Sequence, residues 1–252
     1  IAEAGGYALT VDLLNLTLQI ETAEVNTPPF SHIYFVSEAN SWSFEPMTQD
    51  PVNPFIFRYG AEIGNGQFKF GTTPGSWDNM YKTDADNSDY THTTVVFVSG
   101  SDPDNKWLLY ADTPNKPYKI ALDITPDKES MVMKEFTPYA QIWMIGDATP
   151  NGWSFDNPTA MQQGDDAYTF TWTGTLSSGE LKFTCDCQSD WNGDWFMASE
   201  ENKVFEAGTE TVCFVDKSLP ENGSVDRKWK VSAGNYTIVL NQLTETMTVT
   251  KN

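Results

Sequence analysis

Residues 142–155 read IWMIGDATPNGWSF. A short apolar run stops at Gly146, a polar loop with Pro150, Asn151 and Gly152 follows, and Trp153 stands where the chain re-enters ordered structure. A short apolar run bounded by turn residues predicts a buried strand leading into a loop. The chain contains the arrangement twice. Residues 33–44 read IYFVSEANSWSF, the same strand and the same Trp-Ser-Phe joined by a loop two residues shorter.

A second element recurs as well. Residues 5–21, GGYALTVDLLNLTLQIE, alternate in two runs about a turn near Leu14 and Asn15, which predicts a β-hairpin. Residues 234–250, GNYTIVLNQLTETMTVT, align with them without a gap: Tyr7 with Tyr236, Asp12 with Asn241, Ile20 with Val249. Residues 118–134, YKIALDITPDKESMVMK, repeat the hairpin with two more residues in its turn. A closing hairpin present three times and an opening strand present twice predict a tandem array. Residues 1–27 are then the closing hairpin of a truncated preceding module, and 28–137 and 138–252 are whole modules. A repeat of about 110 residues is a domain duplication rather than a solenoid.

The interiors of the two modules follow one order. Phe55, Phe57 and Tyr59 align with Tyr168, Phe170 and Trp172, and QFKF at 67–70 aligns with ELKF at 180–183. Trp77, Asn79 and Tyr81 are answered by Trp191, Asn192 and Trp195, and DNKW at 104–107 by DRKW at 226–229. Short alternating runs, Gly/Pro/Asn turns and the lack of an amphipathic helical pattern predict an all-β chain of tandem Ig-like β-sandwiches.

Of the 252 residues, 35 are acidic and 15 basic, a net charge of −20. That charge repels phosphate backbones and argues against nucleic acid and anionic membrane surfaces as partners. A neutral ligand is indifferent to it. No apolar run approaches the roughly 18 residues of a membrane span, and no signal peptide is visible. The start Ile1-Ala2-Glu3 reads as a piece of a longer protein. Cys185 and Cys187 lie two apart on a predicted strand and so share a face. Two readings stand: one of them pairs with Cys213, or all three are small buried hydrophobes.

Catalytic signals are missing. The two histidines, His32 and His92, have no repeated counterparts. No nucleophile elbow, Cys-His arrangement, phosphate loop or zinc spacing is present. No acidic residue recurs at a strand end in apolar surroundings that would raise its pKa for acid catalysis. The run Asp84–Asp89 lacks the glycine and glutamate of a calcium loop and reads as a solvated acidic turn. The expectation is a non-enzyme with no metal and no cofactor.

Nine tryptophans, ten tyrosines and fifteen phenylalanines remain. Trp143 and Trp172 sit in predicted strands and read as core, and Trp107 and Trp229 as core plugs. Trp42, Trp77 and Tyr81 in one module, and Trp153, Trp191 and Trp195 in the other, lie in loops among Gly, Asn, Asp and Ser. One reading is a sugar platform, in which a ring covers the apolar face of a pyranose while polar side chains bond its hydroxyls. Lys69 and Lys182 lie mid-strand between apolar neighbours and project from the outer face of the sheet, as do Gln67 and Glu180. The other reading is a structural or adhesive array that spaces a surface complex or binds a protein partner, with the loop rings folded inward.

IWMIGDATPNGWSF, GELKF, the loop WNGDW at 191–195 and the YTIVLN hairpin together resemble the modules of SusE/SusF-type outer-membrane lipoproteins of the Bacteroidetes starch-utilisation system. The first module departs from the pattern, with Glu38-Ala39-Asn40-Ser41-Trp42 in place of the glycine-bearing loop. The resemblance implies tandem carbohydrate-binding β-sandwiches, no catalysis and no cofactor. It implies an α-glucan ligand, other outer-membrane glycan-uptake proteins as partners, and lipid anchoring at the extracellular face of the bacterial outer membrane. It implies an arc of two aromatics with a lysine or arginine and an asparagine or acidic side chain on the hydroxyls. That arc is Trp153 with Trp195 or Trp191, plus Lys182 and Asn192. In the first module it is Trp42 with Tyr81 or Trp77, plus Lys69 and Asn79.

Overall fold

The computed structural model describes residues 6–23 and 27–252. Among them the secondary structure is strand and turn, with 3-10 segments at Glu38–Asn40 and Pro220–Asn222. Gly6–Asp12 and Thr17–Ala23 pair as a two-stranded hairpin. The next strands, from Tyr34–Ser37 to Ser130–Glu135, form a seven-stranded and a four-stranded sheet. Those from Trp143–Ile145 to Thr246–Lys251 form a seven-stranded and a five-stranded sheet. Each pair of sheets faces across its own hydrophobic core, so the chain is a tandem of β-sandwiches.

The registers of the two sandwiches coincide. Val36 pairs with Lys69 as Ile145 pairs with Lys182, and Phe57 with Leu122 as Phe170 with Leu240. Trp107 lies opposite Phe68 and Trp229 opposite Leu181. Both tryptophans are fully buried. Trp107 Nε1 donates to His92 O and Trp229 Nε1 to Glu210 Oε1, each at 2.8 Å, so neither indole leaves a buried donor unpaired.

Three expectations are corrected. Tyr81 pairs with Phe70, but Trp195 pairs with Thr184, one position further along the strand. The counterpart of Tyr81 is therefore Phe196, and that of Trp195 is Met80. Trp143 is only half-buried, because Met144 takes the core-facing position of that short strand. Cys185 and Cys187 both lie beyond the strand Gly179–Thr184, Cys187 at φ 53°, so they share no strand face. All three cysteines are free.

The loop that opens each module is built differently. Gly146 has φ 146°, and a Cβ there would lie 2.0 Å from the Glu180 carbonyl oxygen, so only glycine fits. Its carbonyl accepts from Thr149 N at 2.9 Å and Thr149 Oγ1 at 2.8 Å, which closes the loop ahead of Trp153. In the first module a short 3-10 turn does this work. Ser37 Oγ accepts from Asn40 N, and Asn40 Oδ1 accepts from Ser37 N, a reciprocal cap. The chain leaves that turn with Trp42 at φ 61°, a left-handed conformation unusual for a bulky residue.

The sandwiches touch through the last hairpin. Its turn is set by Asn241 Oδ1, which accepts from Leu243 N and Thr244 N, as Asp12 Oδ1 accepts from Leu14 N and Asn15 N. The backbone of Leu243 lies against Gly60, where a Cβ would meet its oxygen at 2.0 Å. Glu245, at φ 55°, accepts from Lys119 Nζ at 2.7 Å, and Tyr168 Oη donates to Glu62 at 2.8 Å. Lys119 also lies over the rings of Phe136 and Phe214.

Candidate functional site

In the strand Gly66–Gly71, Phe68 and Phe70 face the core, so Lys69 points to the opposite face. Lys182 stands likewise between Leu181 and Phe183. Both lysines are nonetheless buried, because loops fold over them. In the first module those loops bring Trp42 and Trp77 together, with ring centroids 6.3 Å apart and planes at 78°. Phe44 supports Trp77 at 5.3 Å, and Lys69 Nζ lies 4.9 Å from the Trp77 centroid and 6.0 Å from that of Trp42. In the second, Trp153 and Trp191 are 6.0 Å apart at 54°, and Phe155 meets Trp191 at 4.4 Å. Lys182 Nζ lies 5.2 Å from the Trp191 ring. The Trp-Ser-Phe triplet thus supplies one platform ring and its support in each module.

Trp195 is part of the second cluster but not of its surface. It is fully buried and stacks beneath Trp191 at 5.8 Å and 4°, with Lys182 Nζ 3.9 Å from its ring. Tyr81 is also buried, packed among Phe30 and Phe97. Neither offers a ring face to a ligand. Trp77 and Trp153 do, at 43% and 37% exposure, so the inward folding of all the loop rings is excluded. Asn79 and Asn192 sit on the loops that carry Trp77 and Trp191.

An ammonium taken out of water must be paired. Lys69 Nζ donates to Asp104 Oδ1 at 2.5 Å, and Lys106 Nζ reaches Asp104 Oδ2 at 2.8 Å. In the second module Lys182 Nζ donates to Asp226 Oδ1 at 2.6 Å, and Lys228 Nζ reaches Asp226 Oδ2 at 3.0 Å. The first module adds Lys82, fully buried, bonded to Ser101 O and Pro103 O and 3.3 Å from Asp104 Oδ1. Burial pushes the Lys69 and Lys182 amines down from their ordinary value, against the pull of the paired carboxylates. Burial alone would raise Asp104, but its bonds to Lys106 and Lys69 outweigh that and hold the carboxyl at about 2. Asp226 is lowered for the same reason.

These two Asp-centred clusters escaped the sequence reading. Their signal was present as the repeated Asp-x-Lys-Trp at 104–107 and 226–229, read there only for its tryptophan. A groove of about 320 Å³ runs between Trp42, Trp77 and the loop that carries Asp104 and Lys106. In the second module a groove of about 460 Å³ borders Asp226 and Lys228 on the side of Glu201 and Val225. Each site therefore offers apolar ring faces beside an ionised carboxylate and an ammonium. That set suits a ligand with an apolar face and a hydroxylated edge. A carboxyl held down by two lysines is a poor proton donor at neutral pH. Asp194, whose carboxyl burial raises, accepts from Tyr139 Oη and lies on the strand face opposite Trp195.

Residues 141–250 match the family model described as SusF/SusE starch-specific CBMs. A crystal structure of SusF from Bacteroides thetaiotaomicron aligns over 93% of this chain and 52% of its own, at 16% identity and a TM-score of 0.39. The chain thus spans about half the length of that protein. No curated protein sequence matches. The family match lies on the second sandwich.

Proposed function

We propose that this protein binds starch or a related α-glucan without transforming it, through one platform on each sandwich. The observation that carries this is the recurrence of one constellation at one structural position. Two loop tryptophans and a supporting phenylalanine gather over a buried lysine that stands on the corresponding strand of each module and is held by an aspartate. The starch specificity named for the family supports an α-glucan over other polymers. The angle between the paired rings, 78° in one module and 54° in the other, suits a curved chain better than a flat one. The site residues are Trp42, Lys69 and Trp77 with Asn79, and Trp153, Lys182 and Trp191 with Asn192, Trp195 acting from below.

The modules are residues 28–137 and 138–252, and residues 1–27 are the closing hairpin of a further sandwich. The register supports the last point. Leu9 pairs with Ile20 and Val11 with Leu18, as the buried Ile238 pairs with Val249 and Leu240 with Met247. In the first hairpin those four apolar side chains are exposed. The protein works at the outer face of a bacterial outer membrane, lipid-anchored beside other glycan-uptake proteins. Among the described residues no helix is long and apolar enough to cross a membrane.

The test is calorimetric titration of the whole chain with maltoheptaose, cellohexaose and laminarihexaose. Binding of maltoheptaose in the sub-millimolar to millimolar range is expected, about −4 to −5 kcal/mol. It should fall below detection when Trp42, Trp77, Trp153 and Trp191 are all replaced by alanine. Heat with cellohexaose alone would remove the α-glucan. Unchanged binding in the four-alanine variant would remove the platforms.

A further inference from the structure

We propose that the cleft between the two sandwiches is a third saccharide site, open to a short stretch of the same neutral glucan. This rests on the glycan-binding reading above and adds a contact away from both platforms.

The outer sheet face differs between the sandwiches at this place. Gly60 pairs with Lys119 where the second sandwich pairs Thr173 with Thr237. Ala121 pairs with Val132 where the second pairs Val239 with Thr248. Contact between the sandwiches accounts for two of these residues. Gly60 admits the Leu243 backbone, and Lys119 bonds Glu245 at 2.7 Å. It does not account for Val132, an apolar side chain 42% exposed on the wall of the cleft. The cleft holds about 440 Å³. That lies within the ~300–1,000 Å³ of small-molecule sites, which favour such boundaries between domains.

Its lining repeats the chemistry of the platforms with different residues. Tyr139 and Phe214 stand 6.3 Å apart at 32°, a flatter pair than Trp153 and Trp191. Lys119 Nζ lies 4.3 Å from the Phe136 ring and 5.3 Å from that of Phe214, as Lys182 Nζ lies 5.2 Å from that of Trp191. A carboxylate holds each ammonium, Glu245 in one case and Asp226 in the other. An ammonium has three donors. Lys119 gives one to Glu245 and its side chain is 23% exposed, so two remain for hydroxyls in the cleft. Thr137 and Thr244 add hydroxyls to the lining. The charges favour a neutral ligand. Arg58 already faces Asp50 at 2.6 Å as Lys119 faces Glu245, and the chain carries −20 overall. A pyranose meets these conditions, since its apolar face covers a ring while its hydroxyls reach the ion pair. Lys119 and Glu245 belong to different sandwiches, so a sugar bonded to both also ties the sandwiches together.

The experiment is saturation-transfer NMR with maltotriose on the whole chain carrying Trp42→Ala, Trp77→Ala, Trp153→Ala and Trp191→Ala, which removes both platforms. Transfer to the sugar is expected, from a site roughly tenfold weaker than a platform and so silent in calorimetry. Adding Val132→Glu, which sets a further carboxylate on the apolar wall, should abolish it. Val132→Glu alone should leave calorimetric binding of maltoheptaose within about twofold of wild type. No transfer in the four-alanine variant, undiminished transfer after Val132→Glu, or equal transfer to p-cresol, a ring with a single hydroxyl, would each overturn the assignment. If the four-alanine variant fails to fold, wild-type crystals soaked in maltotriose decide the matter. Sugar oxygens bonded to Lys119 Nζ or Glu245 are then expected, and an empty cleft beside occupied platforms overturns the assignment. Calorimetric binding by wild type with no transfer in the four-alanine variant sinks this inference alone. No glucan binding by wild type in either measurement sinks this and the function together.

Discussion

Lys119→Met tests whether the two sandwiches are pinned together. Lys119 belongs to the first and Glu245 to the second, and their 2.7 Å bond joins residues 126 apart in sequence. The Glu245 side chain is 9% exposed, in a left-handed turn that its own hairpin fixes, so it cannot swing out to water. Removing one partner of such a pair costs about 3–5 kcal/mol when the other stays buried. Two features reduce this. The Lys119 side chain is 23% exposed, and the Arg58 guanidinium still acts on Glu245. The methionine also keeps the packing of the stem against Phe136 and Phe214. A loss of about 2 kcal/mol is expected, or a fall in Tm of about 4–8 °C for a chain of this size. Denaturant unfolding of Lys119→Met, Glu245→Gln and the double variant should show a coupling of about 1–2 kcal/mol. Losses that add to within about 0.5 kcal/mol would mean that the pair is solvated and the pinned contact does not form.

Further outcomes follow from the same geometry. Gly60→Ala sets a Cβ 2.0 Å from the Leu243 oxygen, so it should separate the modules, visible as an increased radius of gyration in small-angle scattering. Gly146→Ala meets the Glu180 carbonyl at φ 146° and should lower stability by about 3 kcal/mol; Gly152→Ala, at φ 66° in open space, should cost only about 1 in the same urea titration. Trp195→Ala should cost about 3–5 kcal/mol of stability, whereas Trp153→Ala should leave the urea midpoint nearly unchanged and weaken maltoheptaose binding. The Asp104 carboxyl titrates at about 2, below its unfolded value of roughly 3.9, so its stabilising pairs are fully present above pH 4 and lost as pH falls towards 2. Tryptophan emission from the platforms should be flat from pH 5 to 8 and change in that acid window, with a smaller change in Asp104→Asn.

Much of the architecture is local and was legible in the residues alone. Alternation of period two marks strands, and Asn or Asp at a turn marks hairpins, because both depend on neighbours a few positions away. That is why the three hairpins and the pairing of Gln67–Phe70 with Glu180–Phe183 could be aligned before any contact was known. The strand after the Trp77 loop could not be. An offset of one residue put Tyr81 opposite Trp195, and in a strand one residue reverses the face, which moved Tyr81 into the core and left Trp195 beneath the platform. The polar side of each site was hidden for a different reason. Lys69 and Lys182 look like solvated strand residues until loops 35 and 44 positions away cover them and supply the aspartate. The sequence by itself determined the sandwiches, their duplication and the pool of rings from which a platform could be built. Tertiary structure decided which rings face solvent, which carboxylate holds the buried ammonium and how the modules meet. Those outcomes depend on contacts between distant segments, which no local pattern encodes.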